Sequence, residues 1–245
     1  PIIIGDLKNL ASTVIKNWDN KTWLSSNDYI RSFNKFLFKN IKLNPNSEIL
    51  DIGCGRGKIL GTIKSSLKLK NKPTGIDIIN HKDKDKRINF KKSDATSFFL
   101  TSKKKFDLIL IKQTIHLLTF KKIKRLLFLC KKNLKHNGKI FILTLDGKKN
   151  ELPTFRKMKI RLNKSLKRDN KVLKLITRLY PQRKRKNFIY KVKINKKKYL
   201  TMIENRYISI LLPLSKNEIL EGIEEINYKY KNYIQFRDKL DCFIL

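Results

Sequence analysis

Residues Glu48–Leu60 read EILDIGCGRGKIL and hold the strongest chemical signal in the chain. Ile49, Leu50 and Ile52 form an apolar run that leads into glycines at alternate positions, Gly53, Gly55 and Gly57. Lys58, Ile59 and Leu60 then open a helical pattern. Strand, tight turn and helix N-terminus in that order make a ligand cradle. Glycine lets backbone approach a ligand closely at positive φ, and the helix N-terminus offers unpaired N–H groups and partial positive charge. A P-loop requires G-x-x-x-x-G-K-[ST], yet Ile59 follows Lys58 and position 52 is not glycine. A dinucleotide-binding G-x-G-x-x-G fails as well, because Lys58 stands where the third glycine belongs. Asp77 closes the next apolar stretch, where a carboxylate can accept both hydroxyls of a ribose.

The D-x-G-x-G-x-G pattern from Asp51 to Gly57 resembles motif I of the class I S-adenosylmethionine-dependent methyltransferases. The resemblance covers roughly residues 48–145 and 215–245. It implies a Rossmann-like α/β fold, a seven-stranded doubly wound sheet of order 3-2-1-4-5-7-6 with strand 7 antiparallel. It also implies S-adenosylmethionine as cofactor and S-adenosylhomocysteine as product. Asp51 is then expected to hold the ligand's amino group, directly or through water, and Asp77 its ribose. Asp94 is expected to accept from the adenine amino group, or simply to cap the helix that starts near Ala95. Gly53, Cys54, Gly55, Gly57, Ile78, Ala95 and Lys112 complete the expected cofactor-binding set.

After the apolar run Phe106–Ile111 come Lys112, Gln113, Thr114, Ile115 and His116. In the resembling family the acceptor meets the sulfonium here. The stretch lacks the [DNS]-P-P-[YFW] tetrad of nucleobase amino methylation and the Pro-Cys nucleophile of cytosine C5 enzymes. It looks more like the corresponding stretch of small-molecule methyltransferases. Gln113 and His116 are the catalytic candidates. An imidazole titrates near neutrality and could act as a general base, or it could be structural.

The elements that must position these groups are legible from periodicity. Two N-terminal helices are expected, one over Leu10, Val14 and Trp18 and one over Tyr29, Phe33, Phe36 and Leu37, capped within Ser25–Asp28. Strands are expected at Glu48–Ile52, Pro73–Ile78, Ile88–Lys91, Phe106–Ile111 and Lys139–Leu145, with helices at Lys58–Leu69 and Ile123–Leu134. Asn137-Gly138 is expected to form the C-cap and turn before strand five. Ser215 and Glu218 form a capping box for a helix over Ser215–Ile226. Tyr228–Phe236 and Lys239–Leu245 are expected as two final strands joined at Arg237-Asp238, finishing the catalytic domain.

Between lie residues 146–213, expected as an α+β insertion with two basic amphipathic helices and a β-hairpin around Asn195–Lys198. The expected domains are thus a helical cap over 1–47, a cofactor-binding core over 48–145 and 214–245, and an inserted substrate lid over 146–213. Trp18, Trp23 and Tyr29 from the cap, and Tyr180, Tyr190, Tyr199, Arg206 and Tyr207 from the insertion, are the substrate-binding candidates.

The 245 residues fit one embellished domain, and 40% hydrophobic content allows a sizeable core. The three cysteines are scattered and show no C-x-x-C, so no metal site or disulfide framework is expected. The N-terminus lacks the pattern of a signal peptide and no apolar run reaches a membrane span, so a reducing, cytoplasmic setting is expected. The net charge of +38 has two readings. One is an anionic partner: an anionic small molecule, RNA or an anionic membrane surface. The other is compositional drift, given the richness in Lys, Asn and Ile. The expected function is methyl transfer to a small molecule under the lid. RNA methylation and a non-catalytic cofactor-binding scaffold are the alternatives.

Overall fold

The apolar runs of the sequence become the inner strands of one mixed, mostly parallel sheet. In the computed structural model, which describes residues 22–245, β1 (Ile49–Ile52) is buried at every position. β4 (Phe106–Lys112) is buried at five of its seven. Such strands are covered on both faces by helices, so both alternating sets of side chains must be apolar. The order is β3-β2-β1-β4-β5-β7-β6. β2 (Thr74–Asp77) and β4 flank β1 in parallel, β3 (Asn89–Lys92) runs parallel to β2, and β5 (Leu134–Leu145) parallel to β4. β7 (Tyr233–Ile244) lies antiparallel between β5 and β6 (Lys184–Asn195). This is the class I methyltransferase topology expected from the sequence. Trp18 and the helix expected over Leu10–Trp18 lie outside the described residues.

Alternation along the strands divides the interior into two cores. Ile49, Leu108 and Leu110 face one side, with Tyr29, Phe33 and Leu37 of α1 (Asn27–Asn40) and Leu60 and Ile63 of α2 (Lys58–Leu67). Leu50, Ile109 and Ile111 face the other. They pack with Phe98 of α3 (Ala95–Thr101) and Leu126, Leu127 and Cys130 of α4 (Phe120–Lys132).

The segment after β5 departs most from expectation. Instead of two helices, one 24-residue helix, α5 (Arg156–Leu179), spans it. The apolar stripe Met158, Leu162, Leu166, Val172, Leu173, Ile176 is continuous once position 169 is counted as part of it. That position holds a buried aspartate, which reads as a break. Met158 belongs to the first core and Val172, Leu173 and Ile176 to the second, so α5 bridges the two.

The hairpin expected around Asn195–Lys198 does not form. Asn195 instead caps α6 (Lys196–Glu204) by accepting from the Lys198 N–H, and β6 pairs along its whole length with β7. Residues 184–195, expected within the inserted segment 146–213, are therefore an edge strand of the main sheet. The added material is α6, the turn Ser209–Leu211 and α7 (Lys216–Lys229), between β6 and β7. The Ser215–Glu218 capping box starts α7 as expected. Arg237-Asp238 is not a turn either. The buried positions Ile234, Phe236, Asp238 and Leu240 keep one period-two register through a single strand. Asn133 ends α4, and Asn137-Gly138 lies within β5, Asn137 at φ 62°, where the pairing with β4 shifts register.

The added helices are seated closely. A Cβ at Gly222 of α7 would lie 2.5 Å from the Phe155 ring. Gly222→Val should therefore cost about 3 kcal/mol, the upper end of overpacking penalties, read as a lower midpoint in urea unfolding. An unchanged midpoint would show that this contact yields freely.

Candidate functional site

The loop after β1 is held at the carboxyl end of the sheet. Gly53, Gly55 and Gly57 all have positive φ, at 77°, 55° and 74°. The N–H groups of Gly53 and Cys54 both donate to the Ile76 carbonyl oxygen, at 2.8 and 3.0 Å. Side chains at Gly53 and Gly57 would collide with Thr114 and Ile88, respectively. At Gly55 nothing lies within 4 Å of a built Cβ, and the residue borders a cavity of about 900 Å³. A ligand can therefore approach the backbone there.

Asp77, at the end of β2, joins loop to strand. Its Oδ2 accepts from the Gly55 N–H at 2.9 Å and its Oδ1 from the Ile79 N–H at 2.9 Å. His81 Nε2 stands 3.9 Å from Oδ2. Asp51 is buried, and its Oδ1 has no hydrogen-bond partner. Burial pushes its pKa up to about 7; Lys112 opposes that rise and Asp77 adds to it.

Asp94 is exposed and engaged as a helix cap. Oδ1 accepts from the N–H groups of Thr96 and Ser97, and Oδ2 from Ser97 Oγ at 2.6 Å. The Ser97 hydroxyl, followed by those N–H groups, holds its pKa below the ordinary value despite some desolvation. Of the two expected roles for Asp94, the capping one is visible directly, and the residue also borders the cavity with Ala95. Cys54 and Ile78 border it as well. Burial, with Asp51 and Asp77 nearby, pushes the Cys54 thiol far up, so it is no nucleophile at neutral pH. Lys112 Nζ sits 3.2 Å from Gln113 Oε1 and over the rings of Tyr29 and Phe33, at 5.2 and 5.6 Å.

Beyond the end of β4 the cavity continues. Gln113 has φ 52°, with its N–H on the Leu143 carbonyl oxygen at 2.8 Å. His116 follows, its pKa lowered to about 4 by burial and then by Arg168. It is neutral at pH 7 but a weak base, so it is better suited to accepting a hydrogen bond than to taking a full proton.

Among the substrate-binding candidates, Trp23 and Tyr207 border the cavity and meet edge to face at 5.5 Å. Trp23 Nε1 donates to Asp238 Oδ2 at 3.1 Å. The other described candidates do not border it. Tyr29 and Tyr190 pack on each other at 5.1 Å in the first core, because α1 lies over β6. Tyr199 points into the α6 interior, donating to the Pro153 carbonyl oxygen at 2.6 Å and lying 2.9 Å from the Tyr207 hydroxyl. Arg206, at φ 51°, donates to the carbonyl oxygens of Leu211 and Leu212. Tyr180, at the end of α5, packs against the second core.

Sequence reasoning missed Asp169 and Ser165 of α5, Asp238 of β7 and the Ile208–Ile210 turn, all of which border the cavity. The available signal for Asp169 was its place in an apolar stripe, and for Asp238 its inward phase in β7. Among the described residues no group of three or more His, Cys, Asp or Glu could hold a metal, and no helix is long and apolar enough to cross a membrane.

Comparison with known proteins bears on this geometry. The family described as "Methyltransferase domain" matches residues 43–206, more than half of the chain. No curated protein sequence matches. Among solved structures, a putative methyltransferase of an antibiotic biosynthesis pathway from Anabaena variabilis is similar, with TM-score 0.58 and 14% identity. The match covers 87% of this chain and 96% of that one. The plantazolicin methyltransferase BpumL, solved with a triazolic desmethylPZN analogue and SAH, has TM-score 0.52 and 20% identity over 93% of this chain and 87% of its own. A SAM-dependent methyltransferase from Geobacter sulfurreducens, also with S-adenosylhomocysteine, has TM-score 0.50 and 15% identity over 89% and 90%. At these identities the structural likeness speaks for the fold, and the domain match speaks for the family. The chain belongs to the class I S-adenosylmethionine-dependent methyltransferases.

Proposed function

We propose that this methyltransferase acts on a small molecule held in the chamber beyond the glycine loop. The observation that carries this reading is the continuity of the cavity. It runs from Gly55 past the end of β4 to a largely apolar chamber bordered by Trp23, Leu152, Leu162 and Tyr207. The whole cavity, cofactor end included, measures about 900 Å³.

The residues present fit the cofactor: a loop with open space at Gly55, a buried acid at Asp51 whose Oδ1 has no hydrogen-bond partner, and a carboxylate at the end of β2. When bound, S-adenosylmethionine supplies an electrophilic methyl group on a sulfonium. Asp51 would pair with its ammonium, Asp77 would accept from the ribose hydroxyls while keeping the loop in place, and Ile78 and Ala95 would flank the base. Gln113 and His116 would orient the acceptor, His116 as a neutral hydrogen-bond acceptor. The chamber holds the nucleophile in line and limits water, which is most of what this chemistry requires.

RNA methylation is the second reading. Lys159, Lys164, Lys167, Lys171 and Lys174 form an exposed basic face on α5. Incubation with methyl-labelled S-adenosylmethionine and fractionated cell extract separates the two. Label entering the low-mass fraction supports the small-molecule reading. Label confined to RNA, with binding that falls steeply with salt, overturns it.

Asp77→Ala should weaken S-adenosylhomocysteine binding by about 1.5–3 kcal/mol, roughly tenfold to a hundredfold in Kd by calorimetry. An unchanged Kd would remove Asp77 from the cofactor site.

Asp51 links cofactor binding to pH. A ligand ammonium favours its carboxylate form, so binding near neutrality should release a proton. Affinity should rise with pH up to about 7 and then level. Titration calorimetry in buffers of different ionisation enthalpy reads that proton, and Asp51→Asn should abolish its release. In the ligand-free chain the sign is reversed. The folded state keeps a proton that the unfolded state loses above about pH 4. This group's contribution to stability therefore falls as pH rises from about 4 to about 7.

A further inference from the structure

The chain carries 58 lysines and arginines against 20 acids, yet one wall of the cavity reverses that balance. Where α5, the 207–210 segment and β7 enclose the chamber, no lysine or arginine borders it among the described residues, whereas Asp169 and Asp238 do. The two aspartates differ. Asp238 already has a partner in Trp23 Nε1. Asp169 is 4% exposed, and its Oδ1 has no hydrogen-bond partner. The neighbouring Arg168 has its own partner, its Nη2 donating to the Leu118 carbonyl oxygen at 2.9 Å.

Asp169 occupies a position in the α5 stripe where Leu162, Leu166, Leu173 and Ile176 provide apolar contacts. A leucine there would continue the stripe at no electrostatic cost. A buried carboxylate oxygen without a hydrogen bond is costly when the group is charged, and burial pushes the pKa of Asp169 up to about 6 even with Arg168 nearby. The arrangement becomes favourable when a hydrogen-bonding cation enters the chamber. Ser165, one turn earlier on the same face, borders the cavity as a further polar group. The Trp23–Tyr207 pair offers aromatic surface for an apolar body.

We propose that Asp169 forms a recognition subsite for a positively charged nitrogen, so that the acceptor is a small molecule combining a basic amine or amidine with an apolar, flat body. This rests on the small-molecule reading above. It sets the acceptor's charge opposite to the anion that the net charge of the chain favours, because the local wall rather than the distant surface faces the ligand.

Matched probes test it. Tryptamine, tryptophol and indole-3-propionate share one aromatic body and differ in carrying an amine, an alcohol or a carboxylate; phenethylamine, 2-phenylethanol and 3-phenylpropionate repeat the series. Each is titrated into the full chain, with and without S-adenosylhomocysteine, by ligand-observed NMR. The amines should bind at least tenfold tighter than their partners, and Asp169→Asn should erase the preference. Equal or tighter binding of the alcohols or carboxylates, a preference that survives in Asp169→Asn, or no binding in any class would overturn the proposal. Asp169→Leu separates recognition from packing. It should melt at or above the wild-type temperature while losing the amine preference, and a marked drop in melting temperature would make Asp169 structural instead. Thermal shifts with S-adenosylhomocysteine on the same samples test the cofactor reading independently: its failure leaves the comparison of probe charges intact.

Discussion

The carbonyl oxygen of Ile76 and the carboxylate of Asp77, consecutive residues of β2, hold the glycine loop that follows β1. Ile76 takes two N–H groups of the loop and Asp77 takes a third. Thr114 and Ile88 press against Gly53 and Gly57 from opposite sides. This constraint decides where backbone is exposed to a ligand, because only the middle glycine faces open space. It also explains why α2 starts where it does: Gly57, left-handed at φ 74°, is its N-cap without a side chain to contribute. The strands must lie side by side and in parallel for these contacts to exist, so the loop depends on the buried apolar strands beneath it.

Along the cavity, acids and bases are unevenly placed. Arg56, Lys58, Lys82, Lys92 and Lys112 border it near the glycine loop together with Asp51, Asp77 and Asp94, whereas the wall made by α5 and β7 contributes Asp169 and Asp238 and no base among the described residues. Exposed lysines are screened within about 10 Å by ordinary salt. Buried carboxylates are screened far less, and burial raises the pKa values of Asp51 and Asp169 against the opposing charges of Lys112 and Arg168. On the readings proposed above, Asp51 would meet an amino acid ammonium at one end of the cavity and Asp169 a basic nitrogen at the other.

The bridging helix α5 ties the two halves together. It enters beside Phe155 and Met158 in one core and ends among Val172, Leu173 and Ile176 in the other, leaving its middle against the chamber. The helices added between β6 and β7 then supply Tyr207 and the Ile208–Ile210 turn to the same chamber. Tyr199 fixes this assembly through a fully buried phenol bonded to the Pro153 carbonyl oxygen.

The sequence by itself determined the sheet's parallel half, the glycine cradle, the acids at the ends of β1 and β2 and the family, because each follows from local spacing. An apolar run specifies a buried strand, a glycine at alternate positions specifies a turn, and Ser215 with Glu218 specifies a helix start. It did not determine which residues form β6, since the edge partner of β7 lies two helices earlier in the chain and that choice is a long-range matter. Nor could it tell that Asp169 and Asp238 are inward-facing rather than breaks, because a polar residue in an apolar phase looks like a terminus until its neighbours are known. Tertiary structure alone decided which aromatics reach the cavity. Trp23 and Tyr207 border it, while Tyr29, Tyr190 and Tyr199 are consumed by the core, because packing of α1 and α6 against the sheet sets which side of each ring remains uncovered.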